Sequence, residues 1–334
     1  MSAEHWARRL EGSVGAWRAR RSAASRAGRF ALTLSALREV ASCPRQAVAQ
    51  QLDRAAQPFA WSPPIAAASL AERGFRRAFG EIEHDQGTLR GRPSGFVRAL
   101  RLGVQDGSDS SGNLEHWLAG VDPALRSVVW ARAVSSALGW WLAIARSGVP
   151  LERAKAGAQR NATVLDGQVR LTLWPLLRSA GAEHFGPTSF RVVVLSRDRP
   201  TGSARRLAGL VAIVEALGAG GRVPAVVWVV EPEDGRAEGV LVTSERLDEA
   251  VDDLGAVLGA LMEGEPCNLA VPARPSSLCR WCPCRERCPE AAELPWRSHA
   301  TTPAAVAAWL GDVGRSGEDP EKLSGPVDYR GIGE

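Results

Sequence analysis

The densest chemistry in the sequence is the run Cys279-Arg280-Trp281-Cys282-Pro283-Cys284-Arg285-Glu286-Arg287-Cys288-Pro289. Thiolates bind soft and borderline metals, and a C-x2-C spacing lets a tight turn aim two sulfurs at one centre. Cys279, Cys282 and Cys288 leave one position open on a tetrahedral ion or a cubane cluster. Cys43, in Ser42-Cys43-Pro44-Arg45, could fill it from far upstream in the chain. Cys267 and Cys284 are then spare. A self-contained zinc knuckle made of Cys279, Cys282, Cys284 and Cys288 needs no help from Cys43. The spacing points to a metal site and leaves iron–sulfur and zinc both open. Such clustering is unlike a disulfide framework, and with no apolar secretory segment at the amino terminus the expected compartment is the cytoplasm.

Other reactive groups are sparse. The 41 basic residues include only two lysines, Lys155 and Lys322. Guanidinium stays protonated, so a step that needs a titratable amine has just those two positions. With 37 acidic residues the net charge is +4, too small an excess to diagnose a nucleic-acid binder. Arg73, Arg76 and Arg77 could contact phosphates. Glu72, Glu81 and Glu83 beside them favour a solvated, salt-bridged face instead. Twelve tryptophans stand against one tyrosine, Tyr329. Trp130, Trp141 and Trp228 lie in apolar stretches and read as core, whereas Trp281 would shield the metal.

These residues need elements to position them. Residues 1–30 carry seven arginines against Glu4 and Glu11 and read as a basic flexible arm. Residues 31–160 read as mostly helical. Two short helices cover Thr33 to Arg54, with Ser35 as N-cap and Pro44 in the first turn of the second. A charged helix follows from Ala66 to His84, and another opens on Asp122-Pro123 and closes at Gly148 and Pro150. From 163 to 263 the texture turns to a β-rich core. Strands are expected at Gln168–Leu177, Phe190–Leu195 and Val223–Val230, with a weaker one at Gly239–Val242. Helices run from Ser203 to Leu217 and along Leu247, Val251, Leu254, Leu258 and Leu261. The cysteine cluster occupies 267–290, and 296–334 reads as a short helix around Trp309 with a polar tail. The order favours a single α/β domain over 31–295. The longest charge-free apolar run, Ala133 to Ala145, falls short of the roughly 20 residues that span a bilayer, so no membrane role is expected.

Cys43-Pro44-Arg45 after an amino-terminal helix, paired with Cys279-x2-Cys282-x5-Cys288-Pro289, resembles the iron–sulfur branch of the RecB-like nucleases in the PD-(D/E)xK superfamily. That branch includes the AddB nuclease domain and the exonucleases of CRISPR adaptation. The resemblance covers about residues 31 to 290. It implies a restriction-endonuclease-like core with a large amino-terminal helical part and a carboxyl-terminal iron–sulfur staple. Cys43, Cys279, Cys282 and Cys288 would hold a [4Fe–4S] cluster, with zinc as the alternative.

The resemblance also implies where catalysis should sit. The family pattern reads like L-x-G-x-P-D-L and then V-V-D-x-K-T-G-x-P, two acids holding the metal that activates water. Here the first becomes Leu171-Thr172-Leu173-Trp174-Pro175-Leu176-Leu177, with Leu176 at the acid position. The second becomes Val192-Val193-Val194-Leu195-Ser196-Arg197-Asp198-Arg199-Pro200, with Val194 for the acid and Ser196 for the lysine. The downstream Gln-x3-Tyr pattern is missing, with Arg206 and Leu210 nearby. Leucine and valine offer no ligand atoms and would make a dry pocket. Gly80-Glu81-Ile82-Glu83-His84 fits the upstream G-x3-H of many relatives, and a rival alignment through Gly74 places Ala78 there. Asp166, Asp198 and Glu231 are carboxylates to which a site could have moved, none spaced with a lysine. The expectation is a catalytically inactive RecB-like protein with no catalytic residue. It would serve as a DNA-binding or assembly subunit of a DNA-processing, repair or defence complex, beside a helicase or nuclease partner. The alternatives are an active metal-dependent DNA nuclease with relocated ligands and a zinc-bearing protein-interaction scaffold.

Overall fold

The computed structural model describes residues 3–19, 30–56, 61–84, 112–179, 187–195, 200, 202–231, 235–276, 279 and 282–292. The chain divides into one unit from Met1 to Leu294 and a second from Pro295 to Glu334. The expected helix around Trp309 and the polar tail lie outside the described residues.

The first unit is α/β with mixed sheets. Its helices are α1 (Ala3–Ala19), α2 (Leu34–Ser42), α3 (Pro44–Ala56), α4 (Pro63–His84), α5 (Gly112–Gly120), α6 (Pro123–Arg146), α7 (Ser203–Gly218), α8 (Ser244–Glu263) and the one-turn α9 (Pro289–Ala292). The strands are β1 (Phe30–Thr33), β2 (Ala154–Ala156), β3 (Arg160–Val164), β4 (Val169–Leu173), β5 (Leu177–Ser179), β6 (Phe190–Val194), β7 (Val226–Glu231) and β8 (Arg236–Leu241). One sheet has the order β1-β4-β3 and the other β2-β5-β6-β7-β8. β5 and β6 run antiparallel, β6 and β7 parallel, and β7 and β8 antiparallel. Helix α7 makes the crossover between the two parallel strands.

Every residue of β6 is buried, as expected of a strand covered on both faces. Val193 and Leu195 face one way and join Val227, Val229 and Val240 with α1, α2, α7 and α8 in one core. Phe190, Val192 and Val194 face the other way, with Val230, and pack beneath Phe75, Phe79, Trp140 and Trp141 of α4 and α6. The sheet is thus the middle of three layers. Arg191 interrupts the first face and is fully buried, and its guanidinium grips Glu215 of α7 in two hydrogen bonds of 2.6 and 2.8 Å. Phe190's carbonyl accepts a third, at 2.9 Å.

Local chemistry sets the helix ends. Asp122 accepts from the backbone N–H groups of Ala124 and Leu125 at the start of α6, with Pro123 in the first turn. Thr243 caps α8 through Arg246 N–H, and Gly264, at φ +71°, ends it in the left-handed region that glycine tolerates. At α2 the cap is Thr33 rather than Ser35, with no side-chain bond.

Three expectations change. Residues 3–19 are not a flexible arm: they form α1, which puts Trp6, Leu10 and Val14 into the main core. The i, i+4, i+8 spacing of those three carries the helix despite the arginines around them. Gln168–Leu177 is not one strand. It breaks at Trp174-Pro175 into β4 and β5, which belong to different sheets. The mostly helical span 31–160 also holds β1 and β2, and β3 begins at its end. Finally, α6 is long and apolar enough to cross a membrane by length and composition. Its buried side, however, packs Val129, Ala133, Ala137, Trp140, Trp141, Ala143 and Ile144 against the second core.

Candidate metal centre

Cys43 sits at the joint where α2 ends and Pro44 starts α3. Its N–H donates to Glu39 carbonyl at 2.8 Å, and its own carbonyl accepts from Ala47 N–H at 3.0 Å. The sulfur therefore projects from a rigid corner. The other three come from a short knot of turns. Cys282 N–H donates to Cys279 carbonyl at 3.1 Å, Arg285 N–H to Cys282 carbonyl at 3.1 Å, and Cys288 N–H to Arg285 carbonyl at 3.3 Å. A single 3-10 turn over Arg285–Arg287 shapes the last step.

Six cysteines sort themselves into two groups. Cys267 and Cys284 form a disulfide, with Cα atoms 5.2 Å apart. Cys43, Cys279, Cys282 and Cys288 remain free thiols, all buried except the half-buried Cys282. The spare pair is a pair in fact. The zinc knuckle that borrows Cys284 loses that ligand to Cys267.

Arg45, one turn into α3, binds the two halves together. It is buried, and its Nε donates to Val271 carbonyl at 3.1 Å and its Nη2 to Leu269 carbonyl at 2.9 Å. Its Nη1 donates to Cys288 Sγ at 3.1 Å and to Glu290 at 2.7 Å. Burial works against its charge, and Glu290 and Cys288 overcome that, so its pKa lies above the ordinary value. The Arg45 hydrogen bond in turn holds the Glu290 carboxyl down to about 2. Two other cations stand near. Arg274 makes paired contacts of 2.6 and 2.7 Å with Asp253, donates to Val40 carbonyl at 3.3 Å, and lends its backbone N–H to Cys43 Sγ at 3.5 Å. Arg206 donates to Ala41 carbonyl at 2.7 Å and feels the Cys43 charge. Sequence reading missed all three, since nothing marks one arginine among so many as a partner of sulfur.

Cys279 and Cys282 each sit in the field of the other free thiols. Burial pushes Cys279 up, the Ser276 N–H donated to its sulfur at 3.3 Å opposes this, and Cys43 and Cys288 add repulsion. Burial likewise pushes Cys282 up to about 11, against a hydrogen bond from Cys284, with Cys43, Cys279 and Cys288 adding repulsion. They feel one another's charge, yet among the described residues no group of three or more His, Cys, Asp or Glu side chains is drawn together to hold one metal ion.

Leu176 and Val194, two of the residues matched to the nuclease motif, lie together on the opposite side of the sheet. Leu176 N–H donates to Val192 carbonyl at 2.8 Å, and Leu176 and Val194 are buried in the second core. Neither offers a ligand atom. Ser196 and Asp198 lie outside the described residues, as do the side chain of His84 and Trp281. Asp166 sits exposed in the β3–β4 turn and Glu231 at the end of β7 in the other sheet, so those two carboxylates are not brought together. The arginines of α4 are not one solvated face: Arg77 is exposed, Arg73 half-buried and Arg76 buried. Arg38 of α2 donates to Val194 carbonyl at 2.6 Å and to Glu72 at 2.7 Å, while Arg76 lies 3.8 Å from Glu72's other oxygen. Arg76 also stacks on the Trp174 ring, 4.1 Å from its centroid. Trp174 is fixed by its own Nε1–H, which donates to Gly157 carbonyl at 3.0 Å. A Cβ on Gly157 would overlap the Pro175 carbonyl, so only glycine allows this turn to close.

No protein-family model matches the chain, and no curated protein gives a significant match to it.

Proposed function

We propose that the chain is a catalytically inactive protein of RecB-like nuclease fold that holds a [4Fe–4S] cluster and serves as a DNA-binding or assembly subunit of a DNA-processing complex. The observation that carries this reading is the sorting of the cysteines. The Cys267–Cys284 bond leaves four free thiols, and they come from the two ends of one domain. Cys43, Cys279, Cys282 and Cys288 would hold the cluster, which supplies a rigid cross-link and a redox-active centre. Arg45, Arg206 and Arg274 would offset its negative charge, and N–H donors to sulfur would tune it.

Three further features support the fold assignment: the antiparallel β5–β6 pair, the α7 crossover and the parallel β6–β7 pair. The absence of catalysis rests on Leu176 and Val194, buried where the resemblance expects carboxylates. Anaerobic purification followed by iron and acid-labile sulfide analysis tests the cluster. About four of each per chain is the expected result, and one equivalent of zinc without sulfide would establish the scaffold reading instead. Incubation of single- and double-stranded DNA with Mg²⁺ or Mn²⁺ tests the rest. No cleavage is expected; cleavage abolished by Asp198→Ala would overturn the inactive reading.

A further inference from the structure

Among the described residues, the cluster of Arg38, Glu72 and Arg76 beneath Trp174 sets two guanidinium groups against one carboxylate. Arg73 adds its own field to Arg76. Arg38 spends its donors on Glu72 and the Val194 carbonyl. Arg76 is only 8% exposed, and its Nε is buried with no hydrogen-bond partner. Its remaining contacts are long: 3.4 Å to Trp174 carbonyl and 3.8 Å to Glu72. Burial pushes its pKa down to about 10, with repulsion from Arg38 and Arg73 adding to this and Glu72 opposing it. A buried cation with an orphaned donor is stabilised by an incoming anion. The rim of the cluster is Trp174, whose ring carries Arg76 and is 37% exposed.

We propose that the Arg38–Arg76 pair under Trp174 is a phosphate-binding subsite for a single-stranded polynucleotide, with the Trp174 ring stacking on the base next to the bound phosphate. Guanidinium donors in a planar fork suit a phosphate oxyanion, and Trp174 prefers a flat partner. Glu72 keeps the two guanidinium groups from flying apart and does not cancel both. This deepens the proposed reading and rests on its DNA-binding half alone; neither the cluster nor the loss of catalysis enters it.

The test measures fluorescence anisotropy of a labelled oligothymidylate with the intact chain, across a salt series. Arg76→Gln and Trp174→Ala are each compared with the parent after matched circular dichroism and iron content. Binding weakens about tenfold in Trp174→Ala through lost stacking. In Arg76→Gln the slope of log affinity against log salt falls by about 0.7, the value for one phosphate on a single strand. A second arm titrates inorganic phosphate and reads the rise in Tm, which is expected in the parent and absent in Arg76→Gln. Parent and folded variants binding the oligonucleotide equally would overturn the subsite and leave the DNA-binding reading standing. A phosphate response without oligonucleotide binding would keep the anion site, remove the polynucleotide from it and sink the DNA-binding reading. No response to either ligand overturns both. Should Arg76→Gln fail to fold, the exposed Trp174 decides through Trp174→Ala and Trp174→Phe, the latter retaining most of the binding.

Discussion

Arg45 bridges the two halves of the candidate metal centre. It ties α3 to the loop carbonyls of Leu269 and Val271, to Cys288 and to Glu290. Glu290 is partly exposed, so the loss falls on the buried carbonyls, and a buried acceptor left unpaired costs about 1–3 kcal/mol. Arg45→Ala is therefore expected to lower stability in urea by about that amount and, if the proposed cluster is bound, to speed loss of its visible absorbance in air. Arg45→Lys, which keeps charge but loses the fork, is expected to recover only part of it. The pair Arg191–Glu215 makes a cleaner contrast, because it lies wholly in the core. Glu215→Leu alone should cost about 3–5 kcal/mol, and the double change Arg191→Met with Glu215→Leu should be near neutral. Denaturant midpoints of the parent and the two variants check it; an equal loss in the double variant would show that the pair stabilises in its own right. Neither arginine was legible in the sequence. A chain whose cations are almost all arginine hides the few that are buried. The cysteines were legible because their spacing has a chemical meaning, though connectivity did not: the Cys267–Cys284 bond depends on how the α8 exit turns back toward the cysteine knot.

At the scale of elements, α1 shows why composition misled. Its arginines suggest a loose arm, yet Trp6, Leu10 and Val14 fall on one stripe and pack on α7 and α8. Arg9 pairs with Asp248 on α8. Gly255 makes the close approach possible, since a Cβ there would overlap Ser13 of α1. Gly255→Val is expected to release α1 and expose Trp6, read as new cleavage near residues 17–21 in limited proteolysis. Trp6→Ala should cost about 3–5 kcal/mol, as for a large buried aromatic. The link between α2 and α4 has a pH signature. Burial raises the Glu72 carboxyl, and Arg38 and Arg76 more than reverse this, so it titrates below its ordinary value of 4.5. The unfolded chain then binds the proton first. The stability that Glu72 confers is complete above pH 4.5 and is lost as pH falls through the lowered native value. Glu72→Gln should flatten that part of the acid-unfolding curve; an unchanged curve would remove Glu72 as its source. The cap of α6 and the strands β6 and β7 were readable from local chemistry. β1 was not, because four residues pairing with β4 far along the chain leave no local signal.

For the whole molecule, the recurring theme is closure of distant segments upon one another. β1 lies parallel to β4, α1 lies on α8, and Arg45 bonds Cys288 across 243 residues. The fold class was legible because the order of helical and β-rich stretches survives in composition. The arrangement of these long-range contacts was not, since it depends on surfaces that no window of sequence contains. The two halves of the sheet's surroundings differ accordingly. The α4–α6 side is built from consecutive helices, whereas the side carrying the metal centre draws on both ends of the unit. If the proposed cluster is bound, chemical unfolding followed by its visible absorbance and by tryptophan fluorescence should therefore give coincident transitions.

That closure also sets a schedule for biosynthesis. Cys43 and Arg45 leave the ribosome early, and Cys279, Cys282, Cys288 and Glu290 leave near the end of the unit. At about 5–20 residues per second the interval is roughly 10–50 s. During that time α2 and α3 exist without the partners that bury their apolar residues. The metal centre is thus a device that can only be completed after nearly all of the unit has been made. A nascent chain arrested before Cys279 would leave Cys43 without its three later partners and open to alkylation, and one released after Glu290 would hide it.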